Sequence, residues 1–386
     1  MIMNKSDEQL IALISSVISK KHSDKTILSD DGVLRLEQLA KRYDLSHFIG
    51  VGISNNLIEV PKEKREYYLN IMFLTAVRMK RIDYEYDAAC KSLETAKIPF
   101  LPLKGSVIKK YYPESWMRTS CDIDILVHEE DIENAIAALN ASGKFDVSER
   151  NYHDVSLMSR NGIHIELHFS IQEDMPGIDR LLSRVWDYAA PIFEGESRCA
   201  ATPEFFMFHI YAHASYHFLK GGCGVRQLID VFLLENNLEY DNSELEKMLC
   251  ETGILRFRDE LKLLSEVWFG GKAHNDVTKL MEDFILSGGM YGGAKNGIAV
   301  KGAGMSPVKY CLNRIWMPYS SLKKVYPILE KHKALIPACQ FVRWGKFLFS
   351  NRHTARINEI KAFNSFDDNK KENTVYMLKE LGLDEV

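Results

Sequence analysis

Asp122 and Asp124 stand one residue apart inside the apolar run CDIDILV, residues 121–127. Ile123, Ile125, Leu126 and Val127 have the character of a central strand, where an unpaired carboxylate is costly. Side chains alternate along a strand, so the two aspartates share one face while Ile123 and Ile125 point into a core on the other. Their backbones would lie about 6.5 Å apart, and at an effective dielectric near 20 two ionised carboxylates repel by about 2 to 3 kcal/mol. On a solvated edge strand the repulsion drops below about 1 kcal/mol and needs no partner. The apolar neighbours argue for a central strand, and therefore for positive charge held between the aspartates.

The rest of the chain places this strand in an α+β fold. Residues 1 to about 95 have helical apolar spacing, as in Leu10, Leu13, Ile14, Val17 and Ile18, until Pro99 and Pro102 end the pattern. Short strands and helices then alternate to about residue 190. IPFLPL (98–103) reads as a strand that stops at Lys104-Gly105-Ser106, followed by a short helix with Ser106 as N-cap and Pro113 as its stop. After CDIDILV a helix begins near Asp131, with Ile132, Ala135, Ile136 and Leu139 inward and Gly143 at its end. HDVSLMS (153–159) and IHIELHF (163–169), joined through Asn161-Gly162, read as a hairpin. From Thr202-Pro203 the chain is helical again, except for residues 288–306, whose seven glycines predict a flexible connection without the residue order of a P-loop. The expected division is a helical region 1–84, a mixed α/β core 85–195 and a C-terminal helical domain 196–386.

The hairpin supplies a third acid. In IHIELHF the residues His164, Glu166 and His168 share one face, and Glu166 joins the aspartates if this strand lies beside theirs with apolar faces matched. Three converging carboxylates suit two magnesium ions about 3.5 to 4 Å apart. Lys104-Gly105-Ser106 offers an anion cradle: glycine permits close approach, a helix start presents N–H groups, and the serine and lysine add a donor and a charge. Arg118, with its planar fork of donors, is a candidate phosphate clamp, the alternative being a surface arginine. His164 and His168 are candidate cleft-lining groups. His209, His213 and His217 form a stripe at helical spacing that suits packing beside Phe205, Phe206, Phe208 and Phe218 better than metal binding. Arg226 and Asp230, also four apart, favour a mutual salt bridge, with a cleft-wall role as the second reading.

Bulk properties bound the function. The chain has 386 residues, 46% of them hydrophobic, enough for two or three cores, and 49 basic against 53 acidic residues leave a net charge of -4. No overall basic field exists to hold a nucleic-acid backbone. Seven scattered cysteines without a C-x-x-C spacing argue against a disulfide framework or structural zinc and fit a reducing cytoplasm. The first twenty residues lack a cleavage signal and no apolar stretch reaches 18 residues, so a cytoplasmic protein without a membrane span is expected.

Gly105-Ser106, Asp122/Asp124 and Glu166 together resemble the turn, acid-x-acid strand and later strand acid of the DNA-polymerase-β-like nucleotidyltransferase superfamily. LPLKGSVIKKYYP, CDIDILV, HIELH and VRQLIDVFLL resemble more narrowly an uncharacterised bacterial branch with an L-K-G signature, over about residues 85–235. A lysine, rather than a hydrophobic residue or glycine, precedes Gly105, a departure from the superfamily's usual turn that the branch shares. The resemblance implies a polymerase-β-like core and a Mg²⁺-dependent transfer of a nucleoside monophosphate from a nucleoside triphosphate to a hydroxyl-bearing acceptor, releasing pyrophosphate. Asp122, Asp124 and Glu166 would be catalytic and metal-binding, with Lys104, Gly105, Ser106 and Arg118 at the nucleotide. The acceptor does not carry over; the charge balance favours a small molecule or protein over nucleic acid. The alternatives are a catalytically silent nucleotide-binding module and a toxin-like transferase acting on protein or tRNA.

Overall fold

The run around the two aspartates forms a strand whose inward residues Ile123, Ile125 and Val127 are buried. The structure, a computed structural model, describes residues 5–19, 26–289, 292–317, 319–348 and 353–384. The central sheet has five strands: β1 (Phe100–Pro102), β2 (Asp122–Val127), β3 (Phe145–Arg150), β4 (Asp154–Ser159) and β5 (His164–His168). Their spatial order is β1-β2-β5-β4-β3, with β2 and β5 parallel and the other neighbours antiparallel. The fold is therefore mixed α+β, as the pattern of the sequence predicts. Gly162, at φ +75°, takes the left-handed position of the turn between β4 and β5, which glycine adopts without a steric penalty. β3 is an addition to the sequence reading: FDVSER buries only Phe145, so it has no alternating apolar face to mark it.

Two helices cover the apolar face of this sheet. They are α1 (Lys62–Thr95), through Met79, Ile82, Ala89, Cys90 and Leu93, and α2 (Ile132–Ala141), through Ala135, Ile136 and Leu139. The expected boundary between residues 84 and 85 falls inside α1, which is a single helix of 34 residues. On the opposite side, α3 (Pro203–Lys220) and α4 (Val225–Asn237) face the polar side chains of β2 and β5. Thr202 caps α3 by accepting a hydrogen bond from the Phe205 amide at 3.3 Å, and Pro203 fills its first turn. α3 and α4 bury their inner residues in an apolar cluster that also takes in the helices Lys5–Ile18, Asp30–Arg42 and His47–Ser54 and reaches Leu383.

The glycine-rich stretch 288–306 is not a flexible connection in its described part, because residues Ala294–Lys301 form a helix; residues 290 and 291 lie outside the described residues. Its glycines serve contact rather than mobility. A Cβ on Gly292 would lie 2.4 Å from the Gly221 carbonyl carbon, and one on Gly297 would lie 2.5 Å from the Lys220 carbonyl oxygen. Only bare backbone fits against the end of α3 there. Among the described residues no helix is long and apolar enough to cross a membrane.

Candidate active site

The register of the sheet sets the geometry of the acids. Asp122 pairs with His164, Asp124 with Glu166 and Leu126 with His168, so Asp122, Asp124, His164, Glu166 and His168 all project from one face. The matched faces expected for β2 and β5 are the observed ones, with Ile165 and Leu167 buried on the other side.

Between these acids sits an imidazole. His168 Nε2 lies 3.0 Å from Asp124 Oδ1 and 3.4 Å from Glu166 Oε2, while His164 Nδ1 stands 3.8 Å from Glu166 Oε1. Burial by itself would lower the His168 pKa, but its hydrogen bonds to Asp124 and Glu166 prevail and lift it to about 9. Burial likewise pulls Asp124 upward, yet Lys104 and His168 hold its carboxyl well below the usual carboxylate range. Asp122 goes the other way: burial, then the charges of Asp124 and Glu166, push its pKa up. The face thus carries negative charge that Lys104 and His168 offset only in part. One donor atom from each of Asp122, His164 and Glu166, and likewise from Asp124, Glu166 and His168, lies within 4.8 Å of the others. Close carboxylate oxygens and a carboxyl raised by its neighbours fit a hard divalent cation.

The glycine turn lies beside the acids. Lys104 adopts φ +38°, ψ −106°, a conformation that L side chains rarely take, and it, rather than the expected Ser106, occupies the N-cap of the one-turn helix Gly105–Ile108. The Ser106 amide donates to the Leu103 carbonyl at 3.2 Å, and the Val107 and Ile108 amides donate to the Lys104 carbonyl. The expected set of free helix-start amides is therefore mostly spent in closing the turn. Gly105 is required by close approach: a Cβ on it would lie 2.5 Å from Arg118 Nη1.

Arg118 is largely enclosed, its side chain 12% exposed, rather than a surface arginine. Asp230 on α4 accepts from its Nε at 3.3 Å and its Nη2 at 2.9 Å, and also from the Tyr112 hydroxyl at 2.6 Å. The anticipated Arg226–Asp230 bridge gives way to this arrangement. Arg226 instead donates from Nη1 to the Thr119 carbonyl at 2.7 Å, so the two residues, one turn apart, each clamp a different part of the segment leading into β2. Lys104, Gly105, Arg118, Asp122, Asp124, Glu166, Arg226 and Asp230 line one cavity of about 360 Å³. Ser106, His164 and His168 are not on its wall. Cys121 and Gln227, which the sequence reading did not name as site residues, are on it, as are His213 and His217, which that reading assigned to packing.

His213 and His217 belong to the histidine stripe read as packing. His209 fits that reading, since burial drives its pKa down to about 3. His213 Nδ1, however, lies 2.6 Å from Glu173 Oε1, and its Nε2 lies 3.0 Å from His217 Nε2 at the cavity wall. The four-residue spacing was the available signal, but Glu173 is 40 residues away and carried none.

A family model described as "Uncharacterised nucleotidyltransferase" matches residues 32–270, more than half of the chain. The chain belongs to this nucleotidyltransferase family. No curated protein and no solved structure matches the transferase. The matched span contains the whole sheet, the glycine turn, α3 and α4, and so every residue placed around the cavity.

Proposed function

We propose that the chain is a Mg²⁺-dependent transferase of the polymerase-β-like kind, moving a nucleoside monophosphate from a nucleoside triphosphate to a hydroxyl-bearing acceptor with release of pyrophosphate. The observation that carries this reading is the pairing of Asp124 with Glu166 across parallel strands, with Asp122 on the same face. Asp122, Asp124 and Glu166 would hold two magnesium ions, which would supply Lewis-acid charge to the triphosphate and the acceptor hydroxyl.

The chain's own groups do the rest. Arg118 is fixed by Asp230 with Nη1 against Gly105, so a phosphate that approaches the bare Gly105 backbone meets a guanidinium already oriented. Lys104 adds charge at the same turn, on the cavity wall, whereas Ser106 would have to reach the phosphate from off that wall. Glu166, about a third exposed and opposite Asp124, is placed to take the proton of the acceptor hydroxyl. The acceptor oxygen bonds to the α-phosphorus as the bond to the bridging oxygen of the β-phosphate breaks, and pyrophosphate leaves with that oxygen. The net charge of -4 supports a small molecule or a protein side chain as acceptor over nucleic acid.

The test is transfer of label from a triphosphate marked at the α-phosphate, with cell extract as the source of acceptor and pyrophosphate release measured in parallel. Label in a small molecule or protein, lost without Mg²⁺, supports the proposal. Label in RNA shifts the acceptor class. Triphosphate binding without any pyrophosphate release favours a regulatory nucleotide-binding module instead.

A further inference from the structure

A second set of metal-ligating side chains lies behind the acids, where β4 and β5 pair through Asp154 and His168. One donor atom from each of His153, Asp154 and His168 lies within 4.8 Å of the others. Asp154 is 3% exposed and His168 6%. Two of the ring nitrogens here, His153 Nδ1 and His168 Nδ1, are buried without a hydrogen-bond partner. His153 meets Asp154 through its other nitrogen, Nε2 lying 2.9 Å from Asp154 Oδ2, and an unpaired buried nitrogen of His168 in the same cluster costs free energy that a shared ligand would recover.

The surroundings are those of an ion site. His168 Nε2, the nitrogen on the other side of the ring, contacts Asp124 Oδ1 at 3.0 Å, which fixes the ring as a carboxylate does behind a metal-binding histidine, and an ion at Nδ1 would displace the proton held there in the metal-free chain. Asn151 Nδ2 donates to Asp154 Oδ1 at 3.0 Å and orients that carboxylate. The His153 and His168 rings are 6.0 Å apart between centres, and two imidazoles that share an ion through bonds of about 2.1 Å sit roughly 5 to 6 Å apart. His153 also lines a second cavity, of about 460 Å³, which gives an ion a way in.

We propose that His153, Asp154 and His168 bind one divalent transition metal of the zinc class, at a site separate from the magnesium site. Two imidazoles and one carboxylate select a borderline-soft ion over magnesium, which prefers oxygen ligands and retained water. Through His168 the bound ion anchors Asp124 from behind, because the same ring spans the two sites. The proposal does not depend on nucleotidyl transfer.

The probe is Zn²⁺ itself. Full-length protein is stripped with EDTA, exchanged into millimolar Mg²⁺ to occupy the oxygen-rich acids, given one equivalent of Zn²⁺, gel-filtered and assayed for metal. The expected result is about one zinc per chain, retained by Asp122→Asn and weakened at least about tenfold by His153→Ala. His153 is partly exposed, so its replacement should fold, which circular dichroism checks. Co²⁺ added to the unmutated chain gives a reading free of any variant: four-coordinate binding with nitrogen ligands produces intense, red-shifted visible bands, whereas an octahedral all-oxygen, water-rich site gives only weak ones. Loss of zinc by the unmutated chain on gel filtration, equal retention by a folded His153→Ala, or a cobalt spectrum with only the weak absorption of an octahedral oxygen site overturns the proposal.

Discussion

At the scale of single residues, the imidazole of His168 holds a position that pH can test. Its pKa rises from 6.5 to about 9 in the folded chain because the hydrogen bonds to Asp124 and Glu166 outweigh the opposing effect of burial. A raised pKa means that the folded state binds the proton more tightly than the unfolded chain does. The stabilisation is therefore complete below pH 6.5 and disappears as pH rises through about 9. With EDTA present, urea unfolding across that window should show a loss on the order of 3 kcal/mol, and His168→Gln should flatten the slope. An unchanged slope in the variant would mean that the proton sits elsewhere. Gly105 makes a different prediction. A methyl group there meets Arg118 Nη1, whose guanidinium is tied to Asp230 and has little room to retreat. Gly105→Ala should lower the melting temperature without changing the circular dichroism of the folded chain, and reduce turnover on the order of 100-fold, since small misplacements of a clamp are costly. A steady-state assay with each triphosphate reads this directly.

At the scale of elements, α4 holds the approach to β2 through two separate contacts, Asp230 on Arg118 and Tyr112, and Arg226 on the Thr119 carbonyl. Asp230→Ala leaves a largely enclosed guanidinium without its carboxylate and should cost about 3 kcal/mol in urea unfolding, more than an exposed pair is worth. A loss under about 1 kcal/mol would show that Arg118 finds solvent or another acceptor. This element also shows where reading the sequence stops. Alternation in CDIDILV and IHIELHF defined both strands and their polar faces, because a half-buried strand writes its period into the sequence. The Asn-Gly turn and the Thr-Pro start of α3 were visible for the same local reason. The Arg118–Asp230 pair was not, since 112 residues separate its members and the four-residue spacing of Arg226 and Asp230 suggested a nearer partner. β3 was missed because it buries a single side chain, and the N-cap was assigned to Ser106 rather than Lys104 because strain at φ +38° has no composition signal.

At the scale of the whole molecule, the acidic face of the sheet is held by elements from both halves of the chain. The apolar side of the sheet rests on α1, and the polar side is roofed by α3 and α4, whose core continues into the first helices. The division into 1–84, 85–195 and 196–386 that we propose is thus one of roles, because α1 crosses the first boundary and supplies Met79 and Ile82 to the sheet's core. Overall charge and hydrophobicity were legible as limits on function, whereas the cavity between sheet and helices emerges only when distant segments meet. The central claim is that Asp122, Asp124 and Glu166 gather divalent cations beside the glycine turn so that a triphosphate can bind. Calorimetric titration of each nucleoside triphosphate into the unmutated chain and into Asp124→Asn, with and without Mg²⁺, tests it most directly. The account predicts Mg²⁺-dependent binding of at least one triphosphate by the unmutated chain, and loss of that dependence in a variant with unchanged circular dichroism. Equal Mg²⁺-dependent affinity in the two proteins contradicts it.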